Sequence, residues 1–418
     1  MKKIFHLVFI LIFSGITFCG DESALKNEES TGSSETENKR VVKENPYATE
    51  VAAYLAGINL ESSSSLNKLT LTPEYQSYKR EINTSWQIYR KKNLDQISLW
   101  RKNKMENIGN GTVFYPFSGP DILHATAFFP EGKKYILLAL EKSGPMPDPR
   151  KVTSQIEGLH SLKAALTNIL GMGFFHTNNM AFQIAAHEYS SITAVLMFFL
   201  ARTGNLVVAV NQIYLDDKGY PVLQSSKPPQ VNLDSFTTGV EIVFKKADEN
   251  IQRFVYYFRG DISDLSLHRK IGLIKMIRQK PGFTTFLKAA SYLMYNPRYD
   301  DIRELILSGS SFIVTDTSGI PLHYFHSALW DRDFYGSYNS PIPLFANRCQ
   351  PDLRKIINKK SKGALPFSFG YQFRYGQSHL MIMKRKATFD FYEPELSGSE
   401  YNGSNTTCIG DQLYIVSR

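Results

Sequence analysis

Between Phe114 and Lys142 the chain reads FYPFSGPDILHATAFFPEGKKYILLALEK. Within it, Ser118, Asp121 and His124 bring a hydroxyl, a carboxylate and an imidazole onto one short stretch. If they converge, these groups are the nucleophile, orienting acid and general base of a hydrolase. The neighbouring residues argue against the commonest way of presenting such a serine. A nucleophile elbow needs glycine two residues to either side, and those places hold Pro116 and Pro120. Gly119 and Pro120 are turn formers, and Ser118 or Asp121 can cap a following helix by accepting from its free N–H groups. The stretch therefore reads first as a structural turn, then as a ligand-lining loop, and only then as a catalytic one. His176, in the polar run His176-Thr177-Asn178-Asn179 behind an aromatic pair, is a further candidate contact at a cleft.

Other chemistry is thinly represented. The chain has no Walker A loop, dinucleotide fingerprint, EF-hand loop or HExxH, and His160 and His187 lack the i,i+4 pairing of a zinc helix. No metal and no cofactor is expected. The net charge of +9 falls to +7 if Lys2 and Lys3 leave with a signal segment, a mild excess that favours anionic surfaces without arguing for nucleic acid.

The elements that position the loop can be read from pattern. Thr112 to Phe117 has the content of a strand, Asp121 to Phe129 can form a helical turn, and Lys134 to Glu141 is a second strand. Such a unit builds parallel strands with a covering helix, and loops at the carboxyl ends of such strands are where open α/β sheets hold ligands. Upstream, Thr72-Pro73-Glu74 starts a helix that carries Tyr75, Tyr78, Ile82, Trp86, Tyr89, Ile97 and Trp100 on one stripe. Its other face is basic, from Lys79 and Arg80 to Lys104. Helical patterns follow from Val152 to Ile169 and from Glu188 to Arg202, then antiparallel hairpins turning at Asp216–Gly219 and Asp248–Asn250. Helices are expected at Leu265–Gln279, Thr285–Tyr295, Tyr299–Leu307 and Asp352–Lys359, a hairpin about Thr317-Ser318-Gly319, and strands at Pro366–Phe373, Ser378–Lys384 and Asp411–Ser417. The expected fold is α/β, a mixed parallel and antiparallel sheet flanked by helices, in a single domain over residues 70–418.

The N-terminus has the layout of a bacterial export signal: Met1-Lys2-Lys3, an apolar run from Ile4 to Phe18, then Cys19. The run is about 15 residues, against roughly 20 for a spanning helix. The Cys at its end resembles a bacterial lipoprotein signal, with Ile16 and Phe18 in place of the usual Leu and small residue, as in the looser lipoboxes of spirochaetes. That resemblance implies a signal peptide at 1–19, a palmitate-bearing lipid anchor on Cys19, and attachment to the outer membrane or the periplasmic side of the inner membrane. The alternative is a periplasmic or secreted protein. Residues 20–69 are expected to be mostly a disordered tether, since Gly20 to Asn45 is rich in Ser, Glu, Asn and Thr without one aromatic residue. Of the three cysteines, Cys349 and Cys408 then remain for one disulfide.

The arrangement from Phe114 to Pro147, with FLKAASYLMYN, SGIPLHYF and LPFSFGY further on, resembles a family of bacterial exported lipoproteins. The resemblance implies an envelope protein of one fold, whose partners are the membrane and an unknown ligand or envelope component. It supplies no activity to carry over. Two classes stay open, a ligand-binding or interaction lipoprotein and the hydrolase alternative.

Overall fold

The computed structural model describes residues 42–392 except 106–107, 109–110, 153, 174–188, 190, 225–236, 372–376 and 389, together with the backbone of 405–409 and 412–416. Cys19, the rest of the expected signal peptide at 1–19, and His176 lie outside the described residues.

The compact unit begins at Val42, well before the residue-70 boundary expected from composition. Helix α1 (Pro46–Leu55) is capped by Asn45, whose side chain accepts from the Tyr47 N–H, and it buries Val51, Ala52, Tyr54 and Leu55. The polar run ahead of it masked a helix whose apolar positions fall at helical spacing. After α2 (Asn67–Thr70), α3 (Pro73–Tyr89) starts where its signals place it: Thr72 accepts from the Tyr75 N–H and Pro73 takes the first turn. Its stripe of Tyr75, Tyr78, Ile82, Trp86 and Tyr89 is buried. A π-helical turn at Arg90–Leu94 leads into α4 (Asp95–Lys104), which continues the stripe with Ile97 and Trp100.

The sheet has ten strands. β1 (Thr112–Tyr115), α5 (Ile122–Phe128) and β2 (Lys134–Ala139) form the expected β-turn-α-β unit, with β1 and β2 parallel. α6 (Gln155–Met172), closed by Gly173 in the left-handed region, and α7 (Ile192–Arg202) lead to β3 (Asn205–Leu215), β4 (Pro221–Leu223), β5 (Thr238–Lys246) and β6 (Arg253–Arg259). Then come α8 (Asp264–Leu267), α9 (Ile271–Arg278), β7 (Phe283–Leu287), α10 (Asp300–Gly309), β8 (Ser310–Thr315), β9 (Trp330–Gly336), α11 (Pro351–Lys360) and β10 (His379–Arg385). A separate hairpin pairs β11 (Asn405–Ile409) with β12 (Gln412–Val416).

The strand order is β4-β3-β5-β6-β2-β1-β7-β8-β10-β9. Its centre, β6-β2-β1-β7-β8, is parallel, and antiparallel strands extend both edges. The chain thus builds outward from β1 to β2 and β6, then returns to the other side of β1 for β7 and β8, the doubly wound pattern with its switch point between β1 and β7. Because strand side chains alternate, Val113, Tyr115, Tyr135 and Leu137 join one core with α1 and α3 to α7. Phe114, Ile136 and Leu138 join a second core with α8 to α11 on the opposite face. The fold is α/β with helices on both faces of a mixed sheet.

Three local expectations are corrected. Thr285–Tyr295 begins as strand: β7 runs through Leu287, paired in parallel with β1 and β8. Its Leu, Lys and Ala residues suit a helix, and pairing at the sheet centre overrides that preference. Ser310–Phe325 is not a hairpin, since β8 pairs with β7 and β10 and the chain after the turn forms a 3-10 turn at Leu322–Tyr324. Pro366 to Tyr371 holds no strand. β9 was not legible, because Trp330-Asp331-Arg332-Asp333 lacks an alternating apolar pattern.

Cys349 is disulfide-bonded, and β11, which carries Cys408, packs against the turn Pro343–Arg348 just before it. We expect Cys408 to be the partner. Peptide mapping without reductant should recover a Cys349–Cys408 linked peptide, and reduction should lower stability by roughly 2–4 kcal/mol; a free Cys408 thiol in the unreduced protein would contradict the pairing.

Candidate functional site

At its carboxyl edge each of the five parallel strands delivers a polar side chain: Tyr115 at the end of β1, Glu141 after β2, Asp261 after β6, Lys288 after β7 and Asp316 after β8. The first four line a cavity of about 450 Å³, completed by residues that include Phe117, Ser118, Asp121, Leu140, Tyr299 and Tyr371. Its size falls within the roughly 300–1,000 Å³ of small-molecule sites, and its place beside the switch point is where open α/β sheets bind ligands.

Asp121 is the organising residue. It caps α5, with Oδ1 accepting from the His124 N–H at 3.1 Å, and the same oxygen lies 2.7 Å from His124 Nδ1. Its Oδ2 accepts from Tyr115 OH at 3.1 Å and from Lys288 Nζ at 2.7 Å. Lys288 Nζ also sits 2.8 Å from His124 Nδ1 and donates to the carbonyl of Gly173. His124 Nε2 meets Tyr89 OH at 2.7 Å. Asp121, His124 and Lys288 are each at most 3% exposed.

Burial alone would lift the Asp121 carboxyl, but the His124 ring and the Lys288 ammonium bring it down to about 2. Burial pushes His124 below its ordinary range against the pull of Asp121, with the Lys288 charge adding to the fall. Burial lowers Lys288 too, opposed by Asp121 and Asp316. The unit is a buried carboxylate–ammonium pair with a neutral imidazole wedged against both. His124 Nδ1 serves Asp121 when protonated and Lys288 when not, so a proton can shift within the cluster over less than 3 Å. Tyr115 and Lys288 connect the cluster to the cavity.

The backbone around the cavity is strained. Among the described residues, the non-glycine residues with positive φ are Phe117 (58°), Ala289 (54°), Ser291 (56°) and Tyr292 (55°), and the first three line the cavity. Left-handed φ at aromatic and Cβ-bearing positions persists only where neighbours enforce it, and such strain clusters at ligand sites. Here Asp316 Oδ2 accepts from the Ala289 N–H at 3.2 Å, Ser318 Oγ from the Ala290 N–H at 2.7 Å, and Tyr371 OH donates to the Ala289 carbonyl at 2.7 Å. Asp316 is fully buried, which raises its carboxyl pKa, and its Oδ1 is held by the Ser318 N–H and hydroxyl.

Of the residues singled out from sequence, Ser118 and Asp121 line the cavity, and His124 stands behind Asp121. The Ser118 hydroxyl donates to Gly119 O at 2.8 Å and Leu138 O at 3.3 Å, while its N–H donates to Leu138 O at 2.9 Å. It pins the loop to the end of β2, and the His124 nitrogens are engaged elsewhere. Lys288, Glu141, Asp261 and Tyr115 were missed. Lys288 was hidden inside an expected helix. Glu141 carried a readable signal, an acid closing the apolar run YILLAL at a strand's carboxyl end. Among the described residues no group of three or more His, Cys, Asp or Glu side chains is arranged to hold a metal ion, and no helix is long and apolar enough to cross a membrane. No family model, curated protein or solved structure matches the chain.

Proposed function

We propose that the protein is a lipid-anchored protein of the bacterial cell envelope that binds a small molecule in the cavity at the carboxyl edge of its parallel strands. One observation carries the binding half of this reading: the cavity, the strained loops and the buried Asp121–Lys288 pair coincide at the switch point of the sheet. Support for the anchor is the basic, apolar and Cys19 sequence of the N-terminus. The geometry favours binding over hydrolysis, because Ser118 bonds to main-chain carbonyls and His124 is committed to Asp121, Lys288 and Tyr89.

Native mass spectrometry of protein released from its own envelope tests the reading. A small molecule should be retained, and Leu140→Trp, at an exposed position on the cavity wall, should lose it while the melting temperature holds. Retention of the same molecule by the Trp variant would contradict the assignment. Labelling by a serine-directed covalent probe that Ser118→Ala abolishes would point to hydrolysis instead.

A further inference from the structure

We infer that the molecule taken by this cavity is a small organic cation, an ammonium compound, with Glu141 as its main counter-charge and Asp261 as a second. The inference rests on the reading of the cavity as a binding site and adds the chemical class of the ligand.

The first argument is charge. The chain as a whole carries +9, yet the charged residues lining the cavity are Asp121, Glu141, Asp261 and Lys288, three acids to one base. Lys288 is spent on Asp121 at 2.7 Å. Among the described residues neither Glu141 nor Asp261 forms an ion pair. Lys270 packs against Gly260 on the cavity wall and hydrogen-bonds to neither, though its charge favours the ionised Asp261. The cavity is therefore a local inversion of the protein's sign. An anionic ligand would meet two carboxylates that stand outside any ion pair, and the residues lining the cavity hold no cation besides Lys288.

The second argument is the state of Glu141. It is 8% exposed, and its carboxylate accepts from Tyr257 OH at a long 3.4 Å, while burial, the largest influence on it, outweighs this bond and the nearby backbone groups and raises its pKa. A buried carboxylate without a counter-charge is costly, and a bound ammonium would supply both the charge and the donors it lacks. Asp261 differs: it is exposed and accepts from the Ser263 N–H and from the Ser263 and Ser266 hydroxyls, each at 2.8 Å. Those bonds fix its carboxylate in the charged form at the mouth.

The third argument is the wall. Phe117 and Tyr299 meet edge to face with centroids 5.8 Å apart, and Tyr115 and Tyr371 add further rings. Aromatic faces attract cations, and carboxylates combined with rings are the usual means of holding alkylammonium groups. Leu138, Ile262 and Leu293 give the remaining wall an apolar character suited to a short carbon frame.

Calorimetry on the full chain with four probes tests the inference: choline, its uncharged isostere 3,3-dimethylbutan-1-ol, putrescine and glycerophosphoethanolamine. Choline or putrescine should bind at least about tenfold tighter than the isostere, and Glu141→Gln should erase that preference. Binding of glycerophosphoethanolamine as tight as that of the free amines would make a lipid headgroup the source of the ammonium; weaker binding would make it a free amine. Asp261→Asn should reduce the same preference, and it serves as the second variant if Glu141→Gln does not fold. No preference for ammonium, or one that both substitutions leave intact, overturns the inference. If neutral or anionic molecules bind and Leu140→Trp blocks them, the cavity remains a binding site and only its charge preference is refuted. If Leu140→Trp affects no ligand, the binding reading itself fails.

Discussion

Lys288→Met should destabilise the protein by about 3–5 kcal/mol in urea denaturation, among the largest losses any single substitution here produces. The lysine is 3% exposed and its ammonium lies 2.7 Å from Asp121 Oδ2. Methionine replaces the stem but leaves Asp121 as a buried charge whose nearest neighbour is a neutral imidazole. The carboxylate must then take up a proton or open the loop to water. Adding Asp121→Asn should recover part of the loss, because Asn keeps an oxygen for the His124 N–H while removing the stranded charge. The double variant should therefore be more stable than Lys288→Met alone. Simple addition of the two single losses would mean that the pair is not coupled.

The second large effect is acid lability centred on His379. This residue of β10 is fully buried, with its Nε2 accepting from the Thr317 N–H at 2.9 Å, and burial holds its pKa at about 3 against an ordinary 6.5. As pH falls, the unfolded chain takes up the proton first, so stability is complete above about pH 6.5 and drains away toward pH 3. The full interval corresponds to as much as about 5 kcal/mol. Asp121 adds a loss of about 2 kcal/mol lower down: its carboxyl is depressed to about 2, so its contribution is present above about pH 4 and disappears between there and pH 2. His379→Gln can still accept from Thr317 and has no proton to gain. Its urea midpoint should fall much less steeply than that of the parent between pH 6.5 and 4; equal slopes would assign the acid loss elsewhere.

How far the sequence discloses this arrangement depends on the range of the interactions. Thr72-Pro73, the Tyr75-to-Trp100 stripe and the Asp121 cap are local signals, and each forms where it is read. The β1-α5-β2 unit and the place of its loop at the carboxyl edge of the sheet, where it lines the cavity, follow from the same kind of pattern. What escaped is what distance brings together. β7 looks helical on its own and becomes a strand because β1 and β8 offer it partners on both sides. Lys288 gains its meaning from Asp121, which is remote in the chain, and Asp316 from a loop it steadies across the neighbouring strand. Ser118 illustrates the converse: a reactive residue type in a suggestive position, whose hydroxyl is consumed by the backbone carbonyls beside it.

The most direct test is a crystal structure of the protein purified from its own envelope without added ligand. Ordered small-molecule density bounded by Tyr115, Glu141, Asp261 and Lys288, with the Asp121–Lys288 pair intact behind it, is the predicted result. A cavity holding only water, with a co-purified molecule bound at another surface, would contradict it.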